Sequence, residues 1–451
     1  MRTLVYQVEN FGFNYPQSKY NLELEGKFSV SQGECILIEG ASGSGKSTLL
    51  AALKGLIPHL INGKLTGKIL YNNQDITTLN EQQLLSIGYL QQNPDSQLIC
   101  SDVYSELAFG LENQGFTAAI IDEKISKIVQ DFKLSHLLQR KIGELSGGEK
   151  QKINLLAILV MQPQVLLLDE PTAFLDPESA HEIIGMLQQY IQHATVLIVE
   201  HNHYYLHNIV SKVISINHEG QISEQSCEQI IWNQALPKLK STRDSKQTQQ
   251  PQLELRQLNF AYSNSQPLLN NINLNIYSGE IIAITGKNGS GKSSLLKLIA
   301  GIIKTQGEVF WQQQDIASMN YQTLWSKLTL LWQNPEAHFI YNSVDEELER
   351  NNETLITFDL VPQRAQNPYS LSEGQKRRLS LAIALNLHPQ LILLDEPTFG
   401  QDYEHKLQLA QLIMQLKNQG MSFVMVSHDQ DFIDAIADRC YHLANGELQL
   451  C

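Results

Sequence analysis

Gly40-Ala-Ser-Gly-Ser-Gly-Lys-Ser-Thr48 follows the short apolar run Cys35-Ile-Leu-Ile38 and precedes a stretch of helix formers at residues 49–54. A strand, a glycine-rich turn and a helix in that order make a cradle for phosphate. The glycines let successive backbone N–H groups point inward, and the helix N-terminus adds a partial positive charge. Gly40, Ser42, Gly43, Ser44, Gly45 and Thr48 are the expected cradle, Lys46 the counter-charge for the β- and γ-phosphates, and Ser47 a hydroxyl for Mg²⁺. The wording returns as Gly286-Lys-Asn-Gly-Ser-Gly-Lys-Ser-Ser294 after Ile281-Ile-Ala-Ile284. Gly286, Asn288, Gly289, Ser290, Gly291, Lys292, Ser293 and Ser294 therefore form a second set.

Working outward, the rest of the chain is also written twice. Gln92-Asn-Pro94 returns as Gln333-Asn-Pro335, Leu145-Ser-Gly-Gly-Glu149 as Leu371-Ser-Glu-Gly-Gln375, Leu168-Asp-Glu-Pro-Thr172 as Leu394-Asp-Glu-Pro-Thr398, and His201 as His428. Repetition in one order predicts two homologous domains, residues 1–240 and 252–451, joined by a polar linker at 241–251. The spacing from Gln92 to Leu145 is 53 residues but from Gln333 to Leu371 only 38, which predicts a smaller helical subdomain in the second copy. Val165-Leu-Leu-Leu168 and Thr195-Val-Leu-Ile-Val199 have the unbroken apolar character of strands buried on both faces. The expected fold is α/β with a mainly parallel sheet core in each half.

Asp169-Glu170 and Asp395-Glu396 end two of these strands. The first acid of each pair can reach the shell of a Mg²⁺ ion beside the phosphate loop, and the second can polarise a water in line with the γ-phosphate. Asp169 and Asp395 are accordingly expected at the metal with Ser47 and Ser293, and Glu170 and Glu396 at the water. His201 and His428 follow the second acid by 31 and 32 residues, a fixed place that suits contact with the γ-phosphate and the attacking water.

These ordered motifs resemble the nucleotide-binding domains of ABC ATPases, over nearly the whole chain except the linker. Leu145-Ser-Gly-Gly-Glu149 and Leu371-Ser-Glu-Gly-Gln375 mark that family among phosphate-loop proteins. The resemblance implies two tandem P-loop ABC ATPase domains, each with an antiparallel β subdomain and a helical subdomain added to the core, hydrolysing ATP with Mg²⁺. It also implies an intramolecular head-to-tail sandwich: Ser372, Gly374 and Gln375 would cap the nucleotide of the first domain, and Ser146, Gly147 and Gly148 that of the second. Tyr15 and Tyr262 occupy the place where the family stacks a ring on adenine, and the resemblance puts Gln92 and Gln333 at the metal, sensing the γ-phosphate through Mg²⁺. Glu149 and Glu373 depart from the family's Leu-Ser-Gly-Gly-Gln, and a carboxylate facing phosphate would be repulsive, so Glu373 is expected to point away.

The composition agrees with a nucleotide enzyme and not with a nucleic-acid coat, because 47 acidic residues against 33 basic ones leave a net charge of −14. Five scattered cysteines without metal-ligand spacing read as free thiols of a reducing compartment. The most apolar stretches, residues 153–161 and 165–168, stop short of the roughly 18–20 residues that span a bilayer, and no secretory signal is apparent. Gln92-Asn-Pro-Asp95 and Gln333-Asn-Pro-Glu336, with Asp102-Val-Tyr-Ser-Glu-Leu-Ala-Phe-Gly-Leu-Glu-Asn113 after the first, look like the ATPases of energy-coupling factor importers. Such importers take up B vitamins, their precursors, or nickel and cobalt. That resemblance implies a peripheral protein at the cytoplasmic face of the cell membrane, working with an integral membrane coupling protein and a substrate-binding membrane protein. Residues 99–109 and 339–348, including Leu107 and Phe109, are then expected to line the grooves that receive the coupling protein. The competing class is a soluble tandem ABC ATPase acting on ribosomes or nucleic acid, which the short linker and acidic charge disfavour.

Overall fold

Val196 and Ile198 pack into one apolar cluster while Leu197 and Val199, alternate residues of the same strand, pack into another. A strand that is apolar on both faces has to lie inside a sheet covered on both sides, and this governs each half of the molecule. The computed structural model describes the chain except residues 1–2, 17–20, 42, 174, 193, 202, 218, 228–231, 233–234, 242–249, 263–266, 305 and 399–400, and the side chain of Glu373. The expectations for Ser42, for Glu373 and for most of the linker lie outside the described residues.

The chain divides into two units, Met1–Gln234 and Ala235–Cys451. Residues 235–240, put in the first domain by the polar composition of 241–251, therefore go with the second unit. Leu236 lies in the second unit's core and the Leu239 N–H donates to the Ala435 carbonyl.

In the first unit the strands are β1 Leu4–Asn14, β2 Asn21–Glu23, β3 Lys27–Ser31, β4 Cys35–Gly40, β5 Lys64–Tyr71, β6 Gln74–Asp75, β7 Ile87–Leu90, β8 Val165–Asp169, β9 Thr195–Val199, β10 Lys212–Ile216 and β11 Ile222–Gln225. The helices are α1 Lys46–Leu53, α2 Glu81–Leu85, α3 Val103–Asn113, α4 Ala118–Asp131, α5 Gly147–Leu159 and α6 Pro177–Tyr190. One sheet, ordered β2-β1-β5-β6 with β3 also on β1, is antiparallel. The other runs β11-β10-β4-β9-β8-β7 and is parallel apart from β11. α3 and α4 form a helical subdomain, and α4 buries Ile121, Ile125 and Val129 at helical spacing.

The second unit continues with β12 Leu253–Phe260, β13 Leu269–Ile276, β14 Ile281–Thr285, β15 Gln306–Trp311, β16 Gln314–Asp315, β17 Leu328–Leu331, β18 Leu391–Asp395, β19 Ser422–Val426, β20 Arg439–Ala444 and β21 Glu447–Leu450. Its helices are α7 Lys292–Ile299, α8 Tyr321–Trp325, α9 Val344–Glu347, α10 Asn352–Thr357, α11 Glu373–Asn386, α12 Tyr403–Asn418 and α13 Gln430–Ile436. The two sheets repeat as β13-β12-β15-β16 and β17-β18-β19-β14-β20-β21, the second parallel except for β21. Where the first unit has α3 and α4, the second has only the short α9 and α10. No helix among the described residues is long and apolar enough to cross a membrane.

The strand order places the chemistry. β4, β9 and β8 are parallel neighbours, so the loop after β4, the acids at the end of β8 and the histidine after β9 converge at one sheet edge. β14, β19 and β18 repeat this in the second unit.

Candidate functional site

Each phosphate loop ends in a glycine with left-handed backbone, Gly45 at φ 92° and Gly291 at φ 103°, and these glycines begin α1 and α7. Neither helix has a side chain capping its first turn, whereas Asp102, Ser146 and Asp176 cap α3, α5 and α6. First-turn N–H groups are thus left for a ligand. Gly40 cannot be exchanged, because a Cβ there would lie 2.6 Å from the Ile216 carbonyl oxygen. The Lys46 ammonium is buried and donates to the carbonyls of Gly40 and Ala41, both at 2.8 Å. Lys292 does the same to Gly286 and Lys287 at 2.7 and 2.9 Å.

The Ser47 hydroxyl donates to Asp169 Oδ1 at 3.1 Å, and Ser293 to Asp395 Oδ1 at the same distance. Burial raises the Asp169 carboxyl to about 6, with the Ser47 bond and Lys46 opposing and Glu170 adding to the rise. Burial likewise raises Asp395 and Glu396. A hydroxyl with a carboxylate oxygen is the hard donor set of a Mg²⁺ ion that takes its remaining ligands from water and phosphate, so these residues fit that ion.

Glu170 and Glu396 hold left-handed backbone at φ 48° and 51°, uncommon for glutamate and the same in both copies. Their N–H groups bond Val199 and Val426 across to the next strand, which fixes the strained turn. His201 Nε2 lies 3.3 Å from Glu170 Oε1, and His428 Nε2 3.3 Å from Glu396 Oε1. A cradle of uncapped N–H groups, a buried lysine, a hydroxyl–carboxylate pair and a carboxylate–histidine pair within one sheet edge is equipped to hold a nucleoside triphosphate and direct a water at it.

The ABC transporter family matches this chain over residues 25–173 and 269–399, more than half its length. The chain belongs to the ABC transporter family. It is an ATP-binding ATPase with its engine in duplicate. A Bacillus subtilis (strain 168) protein named for HMP/thiamine import, the ATP-binding protein YkoD, is 29% identical over 96% of this chain and 88% of its own. An ABC transporter ATP-binding protein of Streptococcus mutans is 31% identical, covering 98% and 90%. The archaeal ribosome recycling factor aABCE1, solved with ribosomal stalk protein aP1, superposes with a TM-score of 0.66 at 20% identity over 97% of this chain and 89% of that one, a likeness of fold.

The other motifs of this ABC ATPase are built as follows. Tyr15 and Tyr262 are not core residues: they are 40% and 48% exposed, held edge-on by Phe13 and Phe260, with hydroxyls bonded to Thr48 and Ser294 of the phosphate-loop helices. Ser146 and Ser372 cap α5 and α11. Glu149, the departure from the family motif, folds back: its Oε2 accepts the Ser146 N–H at 2.8 Å and hydroxyl at 2.9 Å, and Arg140 bonds Oε1. Gln375 accepts the Ser372 N–H at 3.0 Å, so carboxylate and amide serve the same cap. Gly147 and Gly374 lie in the first turns of those helices, and Gly148 is packed so closely that a Cβ would meet Ser179 Oγ at 2.7 Å. Gln92 donates to Glu170 Oε2 at 2.7 Å.

The expected groove is corrected in part. Leu107 is fully buried in the core of the first unit, as are Val344 and Leu348 in the second, because helix packing claims them. What the segments present outward is Ile99 (70% exposed), Phe109 (41%), Ile340 (83%) and Tyr341. Two buried acids shape them: Glu106 accepts the N–H groups of Ile99 and Cys100, and Glu347 those of Ile340 and Tyr341.

One difference in these segments escapes sequence comparison. Gln97 Oε1 accepts the Gln91 N–H at 3.0 Å, whereas in the second unit His338 Nε2 accepts the Trp332 N–H at 3.2 Å. The bond requires neutral imidazole, and burial lowers His338 from 6.5 to about 4. A depressed pKa contributes stability that is complete above pH 6.5 and is lost as the pH falls through the folded value. Between pH 7 and 4 the wild-type second unit is expected to lose about 3 kcal/mol more unfolding free energy than His338→Gln. Urea titrations of both proteins at the two pH values measure this, and equal losses would contradict it.

Proposed function

We propose that this ABC ATPase is the motor subunit of a membrane importer of the energy-coupling factor type, driving uptake of a vitamin, a vitamin precursor or a transition-metal ion. The observation that carries the reading is the pair of solvent-facing apolar segments immediately after Gln92 and Gln333. Isoleucines at 70% and 83% exposure, each held out by a buried glutamate, are arranged as a contact surface in both copies. The relative named for HMP/thiamine import supports the substrate class.

In this reading Lys46 and Lys292 neutralise the β- and γ-phosphates, with the glycine loops and the N-termini of α1 and α7 around them. Tyr15 and Tyr262 stack on the base. Mg²⁺ would be held by Ser47 and Asp169 with Gln92, and by Ser293 and Asp395 with Gln333, supplying charge neutralisation at the phosphates. Glu170 and Glu396 accept a proton from the attacking water, and His201 and His428 hold water and γ-phosphate in register. By family resemblance, Ser372, Gly374 and Gln375 cover the first nucleotide and Ser146, Gly147 and Gly148 the second. Closing on ATP and opening after hydrolysis would then work the membrane partner from the cytoplasmic face.

Co-purification of the full chain from membranes tests the reading. Membrane proteins are expected to accompany it, and Ile99→Asp with Ile340→Asp should release them, reducing their recovery at least about tenfold while ATP binding is retained. Recovery of ribosomal components in place of membrane proteins would favour the soluble class and overturn the proposal.

A further inference from the structure

The two carboxylates read above as general bases are wired differently. In the first unit Glu170 accepts from two side chains, His201 on Oε1 and Gln92 on Oε2. In the second, Glu396 Oε1 faces His428 Nε2 but Oε2 accepts the His428 backbone N–H at 3.2 Å, and among the described residues no hydrogen bond joins Gln333 to Glu396. The His201 N–H has another acceptor: Glu200 Oε1, at 2.9 Å. The second oxygen of Glu200 accepts the Thr172 N–H at 3.2 Å and hydroxyl at 2.6 Å, tying the turn after Glu170 to the turn that carries His201.

Glu200 is buried, 4% exposed, and its place in the second copy is taken by Ser427, also buried, whose hydroxyl oxygen instead accepts the Asp429 N–H. A buried carboxylate is costly unless its oxygens are bonded, and three donors among the described residues bond this one. Serine at the same position is too short to serve both turns, so the histidine N–H is left to seek Glu396.

We infer that Glu200 is a positioning residue: by taking the His201 N–H and the Thr172 donors, it leaves Glu170 free for Gln92. Gln92 begins the segment that presents Ile99 outward. The first site is therefore the one whose base is linked to the partner-facing segment, and the second is built without that link. This rests on the reading of Glu170 as general base.

The test uses the full chain in a Glu396→Gln background, so that turnover reports the first site. Glu200→Ser should lower kcat about tenfold with KM for MgATP changed less than about twofold, since it costs one charge-assisted bond, and Gln92→Ala should lower kcat by at least as much, since it also removes the donor assigned to Mg²⁺. The double variant should be no slower than Gln92→Ala alone, because the orientation of Glu170 that Glu200 protects is already lost without Gln92. A merely structural role for Glu200 would give multiplying effects, about a hundredfold in the double variant, and that result, or an unchanged kcat in Glu200→Ser, overturns the inference. Should Glu200→Ser not fold, Glu200→Gln serves. Its amide keeps one acceptor oxygen but turns an NH₂ group toward a donor, and the same absence of multiplication is expected. Unchanged turnover in Glu170→Gln in this background would instead remove the general-base reading itself.

Discussion

Replacing Glu170 and Glu396 together by glutamine is expected to leave a folded protein that binds ATP and hydrolyses it at least about a hundredfold more slowly. Glutamine preserves the volume of glutamate and one acceptor oxygen, so the strained turns after β8 and β18 and their bonds to Val199 and Val426 should persist. What disappears is the carboxylate that can take a proton from water. Each single replacement should remove a substantial part of the rate, because both acids have the same left-handed backbone and the same 3.3 Å approach to a histidine. Steady-state phosphate release from the purified chain decides the matter. A single variant with unchanged turnover would mean that its site does not fire in the wild type.

Lys46→Ala with Lys292→Ala should weaken ATP binding by about a hundredfold, the effect of losing a buried charge-assisted contact at each loop. Both ammonium groups are already enclosed and hold two carbonyls of their own loops, so alanine removes the counter-charge to phosphate and also the internal tie of the cradle. Calorimetric titration with a slowly hydrolysed ATP analogue provides the measurement. The paired replacement should abolish tight binding, and Lys46→Ala alone should reduce the stoichiometry from two to one. Two tight sites in Lys46→Ala would show that the cradle's N–H groups hold phosphate without the lysine.

Much of this is legible in the sequence alone. Phosphate loops, strand-end acids and histidines are local words with local causes: only glycine takes the backbone at 45 and 291, and only a doubly buried strand reads Val-Leu-Leu-Leu or Thr-Val-Leu-Ile-Val. Leu107 was not legible, because an apolar residue at helical spacing reads alike whether it faces a core or a partner. The use of Glu149 was not legible either. Its carboxylate is used by the cap of its own helix, and a capping box accepts glutamate as readily as glutamine. Glu200 carried one faint signal, an acid beside the histidine in the first copy where the second has serine, yet its meaning needed Thr172, which lies 28 residues away.

The sequence by itself determined two phosphate-binding α/β domains, the order of their motifs and the family to which they belong, since each motif is a short run whose chemistry is set by its own residues. Only the tertiary structure decided which partner each strand-end carboxylate takes, which apolar residues face solvent, and which imidazole must stay neutral. Those outcomes depend on donors and acceptors brought together by parallel strands far apart in the chain. A buried oxygen bonds the donor that the fold sets beside it, and the motif has no control over which donor that is.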